Sequence, residues 1–232
     1  MRRVAAGAVL LAAMLSPAAP APAAAPGFVA EPAYYRPALL DGLVFPVARS
    51  NFFSLVEFDN GWNAPRFRLV DGTWRLVGVH KGIDIGAEQD TPILSVTPGV
   101  VENVGWTFYS GLRVGVRGPD GRYYFYAHLD DPAPGIAEGA RVAAGDVLGT
   151  VGNTGYGPPG HEDEFPPHLH FGIEGPDGWV NPYPDLVRLY RHAVRTARQA
   201  EDRLARLASA GDEAAWRAEA DGLYTTFGIP LP

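Results

Sequence analysis

The stretch Pro167-His168-Leu169-His170-Phe171 decides how this sequence is read, because it sets two histidines two residues apart in an extended context. Leu169 and Phe171 alternate with them, and Gly172-Ile173 continue the run. Side chains at i and i+2 of a strand share a face, so both imidazoles point one way and both apolar groups the other. One side of this strand belongs to a core and the other to chemistry. Two imidazoles so placed serve as metal ligands or as proton-transfer groups.

The surrounding sequence supports a β-rich body. The chain has 232 residues with 28 Gly and 22 Pro, a composition that favours turns and strands over a helical bundle. Short apolar runs at 93–96, 100–104, 112–117, 123–128, 147–151 and 168–173 lie between Gly, Pro, Asn and Asp clusters and read as strands. Gly118-Pro119-Asp120-Gly121 joins two of them as a hairpin. Beyond Tyr183 the period changes. Leu186, Tyr190, Ala193, Ala197, Ala200, Leu204 and Leu207 recur in steps of four and three, which predicts a helix. Gly211-Asp212 stops it and starts a second helix through Tyr224. Arg188, Arg191, Arg195, Arg198, Arg203 and Arg206 fall outside the apolar stripe, as a solvated face or as a docking surface for a protein partner or an acidic polymer. The expected fold is mainly β with a C-terminal α-helical hairpin.

Four segments follow from this reading: a signal peptide at 1–25, a linker or N-terminal arm at 26–42, the β domain at 43–182, and a helical extension at 183–232. Arg2-Arg3 precede an apolar run from Val4 to Leu15 that is too short for a stable membrane span, and Ala23-Ala24-Ala25 offers a cleavage site. The expectation is export to the cell envelope, secreted or periplasmic, with no stable membrane span after cleavage. The chain contains no cysteine, so disulfides and a thioether lipid anchor are excluded. The formal net charge is −7, which argues against a nucleic-acid partner.

Upstream of the paired histidines, His80-Lys81-Gly82-Ile83-Asp84 offers another imidazole and a carboxylate. Four fully extended residues would hold their backbones about 13 Å apart, too far to share one ion, so a bend at Gly82 is expected. A catalytic zinc takes three ligands from His, Asp or Glu and keeps one position open. His80, Asp84 and one of the strand pair, such as His170, supply that set, and strand geometry permits either His168 or His170. His128 ends an aromatic strand, where it faces a cleft or serves as a hydrogen-bonded rim residue. His161-Glu162-Asp163-Glu164 opens like a zinc helix, but Phe165 stands where the second histidine belongs and flanking prolines forbid the helix. That acidic loop reads as a groove wall, and His192 as a surface residue.

Taken in order, the motifs resemble those of the lysostaphin-type (LytM-like) zinc metalloendopeptidases. The likeness runs from about 45 to 182, through Trp62-Asn63-Ala64-Pro65-Arg66, His80 to Ile85, Thr91-Pro92-Ile93, Tyr126-Ala127-His128-Leu129, Gly152-Asn153-Thr154-Gly155 and 167–171. The resemblance implies an antiparallel β-sheet or sandwich core with an open groove. It makes His80, Asp84 and His170 the Zn2+ ligands, and His128 and His168 the catalytic pair. It also implies hydrolysis of amide bonds in peptidoglycan stem peptides or cross-bridges through a zinc-activated water. A non-catalytic wall-binding or hydrolase-activating protein on the same scaffold is the alternative. Segment 67–79 and loop 155–167 are longer than in compact members and are expected to border the groove, and 26–50 is long enough to reach across it.

Overall fold

The computed structural model describes residues 34–49 and 56–225. The expected signal peptide and the first part of the arm lie outside these described residues. In chain order the elements are β1 (Tyr34–Tyr35), β2 (Pro65–Val70), β3 (Thr73–Val79), β4 (Ile83–Gly86), β5 (Pro92–Leu94), β6 (Gly99–Thr107), β7 (Gly111–Arg117) and β8 (Tyr123–Pro132). Then follow β9 (Arg141–Val142), β10 (Val147–Val151), β11 (His168–Gly175), β12 (Gly178–Val180), α1 (Tyr183–Ala210), α2 (Glu213–Leu223) and β13 (Tyr224–Thr225).

A nine-stranded antiparallel sheet forms the body, in the order β12-β11-β8-β7-β6-β9, with β4 added beside β11 and β10 bridging β8 and β5. All six expected strands are present, although β8 runs four residues past His128 and β5 stops at Leu94. The core follows from period-2 alternation. Ile83, Ile85, Leu169 and Phe171 are each no more than 1% exposed and pack with Val114, Tyr126, Leu129 and Leu148. Burying one such aliphatic side chain contributes about 1.5–3 kcal/mol. The one polar atom that Tyr126 brings inside is satisfied, its hydroxyl accepting from the Val96 N–H at 2.8 Å.

The helical tail is a hairpin, as expected. Pro184 and Asp185 suit the first turn of α1, where proline lacks only an orphan N–H and a carboxylate meets the positive end of the dipole. The helix ends at Gly211, and the Asp212 carboxylate caps α2 by accepting from the Ala215 N–H at 3.0 Å. Leu186 and Leu189 enter the core of the sheet, so α1 is packed on the β body. The six arginines from Arg188 to Arg206 named above are all exposed, and Leu189 is a buried position outside the stripe read from the sequence. Tyr224 leaves α2 to pair, as part of β13, with β1, which ties the two ends of the described chain together. Residues 34–49 pack against β5, through Val44, Pro46, Val47 and Ala48, and none of them lines the groove described below.

One hairpin was not legible as such. Segment 67–79, expected only as an extended border of the groove, belongs to β2 and β3, joined by a tight turn at Asp71 (φ 49°) and Gly72 (φ 73°). Asp-Gly is the pair that a left-handed two-residue turn demands, so the signal was present in the sequence. This hairpin is isolated from the main sheet and exposes Phe67, Leu69, Trp74 and Leu76. Phe67 pairs with Leu76 and Leu69 with Trp74, so all four share one face.

Candidate metal centre and groove

The register of β4 against β11 builds the floor of the site. His170 lies opposite Asp84, Leu169 opposite Ile85 and Phe171 opposite Ile83. Since the apolar residues of both strands face the core, alternation sends Asp84, His168 and His170 to the other face together. They open into a groove of about 830 Å³ that is also lined by His80, His128, Tyr156 and Phe165.

His80 reaches the same spot from the loop before β4. Its N–H donates to the Ala64 carbonyl and its carbonyl accepts from the Asn63 N–H, both at 2.9 Å, so its backbone is pinned. Its Nδ1 lies 3.0 Å from the Gly61 carbonyl oxygen. A carbonyl only accepts, so in the neutral ring Nδ1 carries the proton and Nε2 presents a lone pair. That Nε2 lies 3.0 Å from Asp84 Oδ1 and 2.9 Å from His170 Nδ1, and the last two atoms are themselves 2.9 Å apart. Gly82 serves this arrangement through space: its φ is not left-handed, but a Cβ there would lie 2.6 Å from both His170 Nε2 and the Phe171 carbonyl. The bend expected at Gly82 is present, and the need for glycine comes from the His170 ring.

Three lone-pair donors from separate positions thus converge with edges near 3 Å. A tetrahedral site with bonds of about 2.0–2.1 Å has edges of roughly 3.3–3.4 Å, so a small rearrangement suffices to hold a divalent cation. The electrostatics agree. Burial pushes the Asp84 carboxyl up, but the His170 and His80 rings facing it outweigh that and hold the group well below the usual carboxylate range. Burial lowers the His170 pKa, which keeps that ring a neutral donor. The second carboxylate oxygen, Asp84 Oδ2, accepts from Arg66 Nη2 at 3.0 Å.

His128 arrives by a different route. Tyr126 faces the core and Ala127 lies opposite His170, so strict alternation would turn His128 inward. Its backbone instead adopts a left-handed conformation (φ 63°), next to an irregularity in the β7–β8 ladder. The flip places its ring in the groove and lets Leu129 resume the core. A histidine in this region is uncommon and costs about 1–3 kcal/mol, which the surrounding structure must over-determine. Nδ1–H of His128 donates to the Thr154 carbonyl at 2.6 Å, and Nδ1–H of His168 donates to the Pro166 carbonyl at 2.9 Å. In their neutral forms both rings therefore present Nε2 as a lone pair, and their centroids are 4.9 Å apart. Burial, reinforced by the neighbouring His168, pushes the His128 pKa down to about 3, so the ring is neutral at ordinary pH.

Phe165 packs edge-on against both rings, at 4.7 Å from His128 and 4.9 Å from His168, and Tyr156 stacks on His128 at 6.2 Å. The sequence assigned no role to either aromatic, and nothing in a proline-flanked loop advertises one. Loop 161–164 does form groove wall through Glu164, as expected. His161 holds that loop in place, with Nδ1–H donating to the Gly155 carbonyl at 2.9 Å, and takes no part in the donor cluster. His192 is half-buried on α1, away from the groove.

Comparison with known proteins agrees with this architecture. Residues 78–182 match Peptidase family M23, and over that segment the chain is similar to proteins of the lysostaphin/LytM type. Over 112 residues it is 45% identical to an L-Ala–D-Glu endopeptidase of Bacillus subtilis, covering 47% of this chain and 34% of the relative. Over 96 residues it is 34% identical to the glycyl-glycine endopeptidase ALE-1 of Staphylococcus capitis, covering 40% and 24% respectively. A solved LytM structure from Ruminococcus gnavus superposes with a TM-score of 0.53 and 32% identity, covering 67% of this chain and 62% of the other. The chain spans about a third or less of the length of these curated relatives. Among the described residues, no helix is long and apolar enough to cross a membrane.

Proposed function

We propose that this chain is an exported zinc metalloendopeptidase that hydrolyses amide bonds in peptidoglycan peptides. The observation that carries the reading is the convergence of His80 Nε2, Asp84 Oδ1 and His170 Nδ1 within 3.0 Å of one another. Two imidazoles and one carboxylate match the three-ligand pattern of catalytic zinc, whereas magnesium and calcium prefer oxygen throughout. His80, Asp84 and His170 would hold the ion. When bound, it supplies Lewis acidity and a lowered pKa for water.

The remaining chemistry belongs to the chain. His128 and His168 both line the groove, and in the neutral form of each ring Nε2 is the free lone pair, so either can accept a proton from the attacking water. The imidazolium so formed can donate its Nε2–H to the developing oxyanion or return that proton to the departing amine nitrogen, and its neutral partner can accept from the attacking water and orient it. The Nδ1–H bonds to Thr154 and Pro166 fix the tautomers this requires. Arg66 holds Oδ2 of Asp84 and leaves Oδ1 for the metal set. Phe165 and Tyr156 cover the two rings and restrict water around them.

The relatives named above cut peptide bonds, and every donor in the pattern is present here, which favours catalysis over a purely wall-binding role. Elemental analysis of purified protein should find about one zinc per chain, and mass analysis of digested wall sacs should show new amine termini that a chelator suppresses. Absence of chelator-sensitive cleavage would overturn the reading.

A further inference from the structure

We infer that Arg68, seated on Tyr109 and Phe108, forms a clasp over the groove that selects substrates by how they enter it; this rests on the endopeptidase reading and says which form of the peptide is admitted. A peptide with a free end threads beneath the closed clasp. A peptide anchored at both ends enters only when the β2–β3 hairpin lifts. Arg68 Nη1 donates to the Tyr109 hydroxyl at 3.0 Å, and its guanidinium lies 5.5 and 5.6 Å from the Phe108 and Tyr109 ring centroids. Arg68 and Tyr109 both line the groove.

Topology places these partners on opposite banks. The base of the hairpin is joined to His80, just before β4, by the backbone bonds of Asn63 and Ala64. Tyr109 lies in the turn between β6 and β7. Along the sheet β4 is followed by β11, β8 and β7. Neighbouring strands are about 4.7–4.9 Å apart, so β4 and β7 stand roughly 14 Å apart across the floor. The two strands between them carry His168, His170 and His128. A β2 side chain that touches Tyr109 therefore spans the groove instead of lying along one wall. Arg66, two residues earlier on β2, meets Asp84 at 3.0 Å. Arg68 follows it by roughly 6–7 Å along the strand, so the clasp crosses about one extended dipeptide from the donor cluster. A peptide bound there has to pass it.

The clasp is weak enough to open. β2 and β3 pair with each other and with no strand of the main sheet, and a two-stranded hairpin on its own is marginal in water. Phe67, Leu69, Trp74 and Leu76 are exposed, so their face does not hold the hairpin down. Arg68 and both rings are exposed as well. One hydrogen bond to a neutral acceptor and the cation–π contacts close the roof, each a bias of roughly two- to tenfold. A substrate that needs the open state has its apparent affinity reduced by the open fraction, and the penalty falls on KM. A cross-bridge within a wall is held at both ends and has no end to thread, so it bears that penalty in full.

The test compares the metal-loaded full chain with its Arg68→Met variant, which keeps an apolar stem and removes the guanidinium. One substrate is a linear peptide with free ends, the other intact wall sacs containing the same bond, and mass analysis follows both. Arg68→Met should raise the rate on sacs at low substrate by about three- to tenfold, through KM, and leave the linear peptide within about twofold. Hairpin position is read separately, from the distance between spin labels on Thr73→Cys and Asp177→Cys. Both positions are exposed, and the chain has no other cysteine. Arg68→Met should add a second distance population. An unchanged distance distribution, or a ratio of the two rates that the substitution does not move, overturns the clasp. A second population with neither substrate hydrolysed by the unsubstituted chain leaves the clasp standing and overturns the endopeptidase reading instead.

Discussion

β11 and β8 lie side by side in the sheet and both deliver histidines to the groove, but they do so by opposite means. β11 keeps perfect alternation: His168 and His170 face the groove while Leu169 and Phe171 are at most 1% exposed in the core. β8 breaks alternation at His128, whose left-handed φ of 63° turns out a ring that the pleat would otherwise bury. The regular strand supplies His170, which the proposed function makes a metal ligand and whose partner, Asp84, is set by register. The irregular one supplies His128, which the proposed function makes a proton acceptor and which strict alternation would have turned inward. Pleated geometry is precise and inexpensive, so it suits ligands that must meet within a few tenths of an ångström. A backbone flip is costly and has to be held in place by neighbours such as Thr154 and Ser110.

This contrast can be broken experimentally. His170→Ala should have the largest effect, removing stoichiometric zinc and dropping wall-sac hydrolysis to background, as read by elemental analysis and mass analysis together. His128→Asn tolerates the left-handed backbone but cannot act as a base at neutral pH. It should retain zinc while kcat falls by about 10²–10⁴-fold. If it lost zinc as well, the division of labour between the two strands would be wrong. On the core side of β11, Leu169→Ala should cost about 2–5 kcal/mol in denaturant unfolding, since Leu169 is fully buried between Ile85 and its sheet neighbours.

Two smaller effects sharpen the comparison. Arg66→Ala removes the hydrogen bond that orients the Asp84 carboxylate, and zinc affinity in a chelator competition should weaken by roughly 10–100-fold. Trp74→Ser, on the exposed face of the β2–β3 hairpin, should change unfolding stability by no more than about 0.5 kcal/mol. A large loss there would mean that the apolar face of the hairpin is covered in the folded protein.

Much of the site was legible because strands have a period of two. His168-Leu169-His170-Phe171 and Ile83-Asp84-Ile85 each announce one chemical face and one core face before any coordinates exist. The helix stripe beginning at Leu186 was equally readable, since four of its seven positions are fully buried. The β2–β3 hairpin was within reach through Asp71-Gly72 but was obscured by its apolar residues on an exposed face, which reverses the usual pattern. The roles of Phe165, Tyr156 and Arg66 were not legible, because each depends on a partner distant in sequence.

The choice between His168 and His170 marks the boundary. By itself the sequence determined the residue types, their periodicity and the elements that carry them: an acid and an imidazole ahead of one strand, a His-x-His pair on another, and a helical tail. Tertiary structure decided that His170 rather than His168 closes the triangle with His80 and Asp84. It also turned His128 outward into the groove. Those outcomes depend on strand register and backbone dihedrals, which are set by packing across the whole sheet and have no counterpart in local spacing.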